Sequence, residues 1–437
     1  MPLELIRPSE PDYESRVLAI ARRLHDGGLV SSGSGELDVP GIVRGIIDGV
    51  KSGGDAAAAE FASKLDGARL GAEGLRVHAD ALHAAHASTD PALLELMRAA
   101  IANIREYQEH IRVRAPEPLL RGGRRLGVRY TPLDRVAVYV PGGQALYPSS
   151  VLMTVVPAQV AGVREIAMFT PAKGGEIHPL ALALAHELGI REVYRLGGAV
   201  AIAVAALGTE RIPRVDKVVG PGNAFVAEAK RQLFGRVGID SIAGPSEVLI
   251  VADDSADPRW TAADMLAQAE HNPGSAVLVT TSLALAEATR AEVERQLALL
   301  ERAEATRHSI DEYSAIIVTD TLEAATEIAN RFATEHLQIV TRQNDACLAR
   351  IRHAGAVFLG PYAPVPVGDY FAGPSHVLPT GGTAKFFGPL SCNDFIKASS
   401  LIEYDAEGLS EDAPRVRDFA QHEGLTAHAR AVMIRGQ

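Results

Sequence analysis

RVAVYVPGG (135–143) is an apolar, β-branched run that stops at a Pro-Gly-Gly turn, and QALYPSS (144–150) continues it with hydroxyl-bearing residues. Such a run predicts a buried strand closed by a tight turn. Strand-like and helix-like runs then alternate. EIAMFTP (165–171), EVYRL (192–196) and DKVVGPGN (216–223) form one series of strands. EVLIVAD (247–253), AVLVTT (276–281), AIIVTD (315–320), LQIV (337–340) and AVFLG (356–360) form a second. Strands separated by helical stretches imply parallel pairing with crossover helices. Two such series point to two open α/β sheets and away from a closed barrel, although one larger sheet satisfies the same periodicity.

Upstream, residues 1–30 read as a short helical segment and GGLVSSGSGE (27–36) as a Gly/Ser joint. From Val43 to about Val113 apolar residues recur three and four apart, a helical pattern that RGGRR (121–125) breaks. The last sixty or so residues lose the strand rhythm and end in a helical tail around HEGLTAHARAVMIR (422–435).

The 437 residues carry 54 acidic against 43 basic side chains, a formal charge of −11. A field of that sign opposes nucleic acid or an anionic membrane as the main partner. The two cysteines, Cys347 and Cys392, lie far apart, so neither a disulfide framework nor a cysteine metal cluster is expected. The opening MPLELIRPSEPDYE lacks the basic start and apolar run of a signal peptide, and no stretch reaches ~18 apolar residues. A soluble, cytoplasmic protein is the expectation. Fourteen histidines beside the single Trp260 direct attention to imidazole chemistry.

No GxxxxGK[ST] loop and no complete GxGxxG occur. GPGNAF (220–225) follows a strand and opens a helix: Gly220 and Gly222 permit close backbone approach, and Asn223 is placed to cap the helix. A capped helix after a tight turn explains these residues as well as a ligand does. In QAEH (268–271), Gln268 and His271 share a helix face. TEH (334–336) sets Glu335 and His336 at a strand mouth, where α/β proteins commonly bind ligands. A carboxylate beside an imidazole offers two proton acceptors, or simply a solvated charge and a satisfied histidine. VGDYFAGPSH (367–376) carries Asp369 in a loop, and HEGLTAH (422–428) carries Glu423 and His428. Two imidazoles, a carboxylate and an amide would suit zinc, but spacing alone does not bring them together.

These segments, with YVPGGQALYPSSVLM (139–153), VDKVVGPGNAFVAEAK (215–230), AGPSEVLIVAD (243–253), ATEHLQIV (333–340) and VGDYFAGPSHVLPTGGTA (367–384), resemble histidinol dehydrogenases over nearly the whole chain. The resemblance implies a zinc-containing homodimer that oxidises L-histidinol to L-histidine through the aldehyde, using two NAD+. It places the metal on Gln268, His271, Asp369 and His428, the last supplied by the partner subunit along with Glu423. Substrate contacts would be Ser246, Gln268, His271, His336, Asp369, Glu423 and His428, with His376 a weaker candidate; cofactor contacts would be Tyr139 and Asn223. His336 would remove the alcohol proton and Glu335 would activate water, without a nucleophilic cysteine. The implied architecture is two incomplete Rossmann-like parallel-sheet domains, residues 31–138 with 246–390 and residues 139–245. Small helical terminal pieces (1–30 with 391–417) and an exchanged tail (418–437) complete it.

Two positions depart from the family pattern. Val200 stands where relatives usually carry an NAD-contacting glutamine, which implies weaker NAD binding. Val365 stands where many carry a glutamate near the substrate, although an aliphatic residue is also familiar there. The rival functions are a paralogous zinc/NAD dehydrogenase acting on another small polar diol, such as a sulfonated propanediol, and a non-catalytic ligand-binding protein. A zinc hydrolase lacks its motifs, since neither HExxH nor GxSxG occurs.

Overall fold

The computed structural model describes residues 3–30, 37–67, 70–142, 148–271 and 273–436. In chain order its strands are β1 (Glu4–Ile6), β2 (Leu119–Arg121), β3 (Arg124–Pro132), β4 (Arg135–Tyr139), β5 (Glu165–Thr170), β6 (Glu192–Arg195) and β7 (Lys217–Val219). They continue as β8 (Gly238–Ile239), β9 (Ser246–Ala252), β10 (Gly274–Thr280), β11 (Ala315–Val318), β12 (His336–Val340), β13 (Ala356–Leu359) and β14 (Ile396–Tyr404). A five-stranded sheet has the order β6-β5-β4-β7-β8 and a six-stranded sheet the order β1-β11-β10-β9-β12-β13. All neighbours within both are parallel. The two strand series thus form two open sheets, and a single continuous sheet is ruled out.

Both sheets are wound alike. Leaving aside the edge strand β1, each starts in its middle (β4, β9), adds two strands on one side and then crosses to the other (β7, β12). The central strands read as unbroken apolar runs because helices cover both faces. On β9, Val248, Ile250 and Ala252 pack with helices Pro258–Ala269 and Leu283–Leu297, whereas Leu249 and Val251 pack with Tyr13–Val30 and Leu322–Phe332. The helices Val39–Asp66 and Pro91–Ile111 share a core with the five-stranded sheet, through Val43, Ile46, Val50 and Ile104. The resemblance had grouped 31–138 with the other sheet.

Three expectations are corrected. The N-terminal piece is not wholly helical, because β1 precedes its helix and pairs with β11 at the sheet edge. RGGRR does more than end a helix. Gly122 and Gly123 both have positive φ (49° and 71°), the requirement of a tight hairpin turn, and they join β2 to β3. β14 then pairs antiparallel with β3 from Ile396↔Pro132 to Tyr404↔Arg124, so the last part of the chain also contains a strand. Of the Gly/Ser joint, residues 27–30 belong to the helix Tyr13–Val30, and 31–36 lie outside the described residues, as do 143–147 of the glycine turn.

The chain ends in two helices, Ala406–His422 and Thr426–Met433, that pack on each other. Arg124 on β3 anchors this arm by donating to Asp412 (2.7 Å) and Glu411 (2.9 Å). Much of its apolar surface has no cover: Phe419 is 70% exposed. Among the described residues no helix is long and apolar enough to cross a membrane.

Candidate active site

A cleft of about 740 Å³ takes residues from both sheets. In the five-stranded sheet the winding reverses between β4 and β7, and a crevice opens at the carboxyl ends of such a pair. Tyr139, the last residue of β4, and Asn223, just beyond β7, both line it. Asn223 caps the helix Ala224–Leu233, its Oδ1 accepting from the amides of Phe225 (3.1 Å) and Val226 (3.2 Å). Gly220 has φ +114°, and a Cβ there would fall 2.1 Å from the Tyr139 carbonyl oxygen. Its close approach is therefore to the protein's own strand. The Tyr139 hydroxyl accepts from Gly198 N–H (3.1 Å), and burial pushes its pKa up to about 12. Asp66, at the end of its helix, also lines this half and is raised by burial, with a hydrogen bond from Gly197 opposing the shift.

The six-stranded sheet contributes its opposite edge. Ser246 and His336 are the first residues of β9 and β12, so the site uses the amino ends of these strands. The strand mouth expected for Glu335–His336 is the reverse of the usual one. The neighbouring strands run in register, His336 opposite Val248. Glu335 Oε2 accepts from Ser246 Oγ (2.5 Å) and Glu247 N–H (3.0 Å). Having given its proton to a carboxylate, the Ser246 hydroxyl must accept from Gln268 Nε2 (2.6 Å), which leaves Gln268 Oε1 uncommitted.

His336 is 3% exposed. Its Nδ1 lies 3.2 Å from the Glu247 carbonyl, which can only accept, so that nitrogen carries the proton. Nε2 is buried without a hydrogen-bond partner and faces Asp369 Oδ1 at 3.5 Å, near enough for attraction and long for a hydrogen bond. Burial alone pulls this imidazole down, but Glu335 and Asp369 outweigh it and hold the pKa at about 9. Glu335 is raised, chiefly by burial, and Glu247 is pushed up to about 8 by burial and by Glu335 beside it. Burial raises Asp369 too, but His336, His376 and His271 around it leave it lowered.

Asp369 sits on a short helix, Val365–Tyr370, where a loop was expected, and its carbonyl lies 3.0 Å from His376 Nδ1. His271 lines the cleft just past the end of Pro258–Ala269. Val365 is buried in the core and Val200 is 1% exposed in the first turn of Gly198–Leu207; neither lines the cleft. Glu423 and His428 do not reach it either, being exposed on the C-terminal arm. Both thiols, Cys347 and Cys392, are free, buried and away from the cleft.

The donors suit a zinc ion. His271 and Asp369 share the cleft, and Gln268 spends its amide nitrogen, not its oxygen, on Ser246 of the cleft lining. Among the described residues no three His, Cys, Asp or Glu side chains form a metal group.

A family model described as histidinol dehydrogenase matches residues 32–436. The chain belongs to the histidinol dehydrogenase family. Histidinol dehydrogenase of Bacillus licheniformis is 51% identical over 397 residues, covering 90% of this chain and 93% of that protein. That of Rhodopirellula baltica is 46% identical over 439 residues, covering 98% and 95%. The crystal structure of histidinol dehydrogenase from Elizabethkingia anophelis superposes with a TM-score of 0.91 at 32% identity, covering 99% and 98%. Sequence reasoning missed Asp66, which lines the cleft, and Glu247, whose amide and carbonyl hold Glu335 and His336. A carboxylate within the apolar run of β9 was a usable signal for Glu247; Asp66 ends a helix far upstream and offered none.

Proposed function

We propose that the protein is a zinc-dependent, NAD-linked dehydrogenase that oxidises L-histidinol to L-histidine by way of the aldehyde. The observation that carries this is the buried imidazole of His336 in the cleft, with Glu335 beside Nδ1 and an unpartnered Nε2 that faces Asp369.

Gln268, His271 and Asp369 would hold the metal, with His428 of a second subunit. Bound there, zinc supplies Lewis-acid polarisation and a fixed seat for an imidazole and amine substrate. NAD+, taken by the half that contains Tyr139 and Asn223, supplies the hydride acceptor. With Asp369 given over to the metal, His336 would lose part of the negative field that keeps it protonated, and its Nε2, oriented by the contact of Nδ1 with the Glu247 carbonyl, removes the alcohol proton. Glu335, held by Ser246 and the Glu247 amide, deprotonates the water that hydrates the aldehyde, and loss of a second hydride gives the carboxylate. One alcohol and one water thus consume two NAD+ and yield the carboxylate, two NADH and three protons. The remaining contacts of the reading are Ser246 and, from the second subunit, Glu423 toward the substrate.

NADH formation with L-histidinol tests this, with two NADH expected per substrate. Replacing Glu335 by Gln or His336 by Asn should lower kcat by about 100-fold or more. Turnover that survives both replacements, or oxidation of a sulfonated diol with none of histidinol, would overturn the reading.

A further inference from the structure

Gln338 is 1% exposed and points the same way as His336, two residues before it on β12. Its Nε2 donates to Asp264 Oδ2 at 2.9 Å and lies 3.4 Å from the Ala363 carbonyl. Asp264 is on Pro258–Ala269 one turn before Gln268, on the same face. Ala363 lies in the segment that leads into Val365–Tyr370, the helix of Asp369. One amide side chain therefore joins the strand of His336, the helix that presents Gln268 and His271, and the approach to Asp369. Gln338 Oε1 is buried without a partner.

We infer that Gln338 and Asp264 are positioning residues, holding the metal-binding groups and the proton acceptor in mutual register from behind the cleft. This rests on the function proposed above. Groups behind a ligand shell typically alter metal affinity 10- to 100-fold when removed.

Zinc affinity, measured by competition with a chromophoric chelator, tests the inference alongside histidinol kinetics and Tm. In the double variant Asp264→Leu/Gln338→Met both polar partners go together, so neither side chain of the pair is left unpaired. Its zinc Kd is expected to rise about tenfold or more, with a similar loss of kcat and little change in KM for histidinol. Asp264→Asn keeps the hydrogen bond and should stay within about twofold of wild type. If the double variant does not fold, Gln338→Asn, too short to span both partners, carries the same expectation. A folded variant that binds zinc and turns over like wild type overturns the inference alone. A wild-type protein that binds no zinc, or leaves histidinol unoxidised, overturns the functional reading and this inference with it.

Discussion

Burial holds the Asp264 carboxyl up to about 6, with the bond from Gln338 pulling the other way. A raised carboxylate pKa means that the folded state binds its proton more tightly than the unfolded chain. Ionised Asp264 therefore costs stability above about pH 6, and the cost fades as pH falls toward 4. Asp264→Asn should accordingly stabilise the protein by about 1–3 kcal/mol near pH 8, a pKa unit being about 1.4 kcal/mol, with the gain gone near pH 4. Denaturant titrations at the two pH values check this; an equal effect at both would refute it. Val200 permits a second residue-scale test. It is buried next to Ala199, which lines the same cleft as Tyr139 and Asn223. Val200→Gln should tighten NAD+ binding by about 3- to 10-fold, the worth of one hydrogen bond. An unchanged Kd by calorimetry would show the position to be irrelevant.

The helix Ala224–Leu233 shows two roles meeting in one side chain, since Asn223 both caps it and lines the cleft. Asn223→Ala should cost about 1 kcal/mol of stability and Asn223→Ser should recover most of it. If Asn223 also contacts NAD+, the serine variant will keep a raised KM for NAD+ at restored stability; a normal KM would reduce the residue to a cap. The strands were legible in sequence wherever helices cover both faces, because burial leaves a continuous apolar signature, as in EVLIVAD. The antiparallel sheet was not, because IKASSLIEY (396–404) is exposed over almost all its length and mixes Lys and Ser with its apolar residues. Local sequence also could not say which edge of the larger sheet is used. Both sheets are wound alike, yet one presents carboxyl ends to the cleft and the other amino ends.

At the scale of the molecule, Ser246, Gln268, Glu335 and Asp369 converge only because strands distant in sequence are neighbours in the sheet, which no spacing reveals. The family resemblance supplied that grouping before the geometry did. It also separates His428 from the rest: a single chain leaves this residue on an arm outside its own cleft. If two subunits exchange arms, each site draws His271 from one chain and His428 from the other. A heterodimer of His271→Ala and His428→Ala chains then has one intact site out of two. Random mixing should restore about a quarter of wild-type activity, as two-fold symmetry dictates. No recovery in verified heterodimers would refute the exchange.

The burial of both thiols has a pharmacological consequence. Alkylating agents and oxidants that silence thiol-dependent aldehyde oxidation have no sulfur to attack in this cleft. On the proposed function, an inhibitor that chelates the metal or mimics the imidazole substrate bypasses this gap, and resistance to it arises by reshaping the walls of the cleft without the loss of a reactive cysteine.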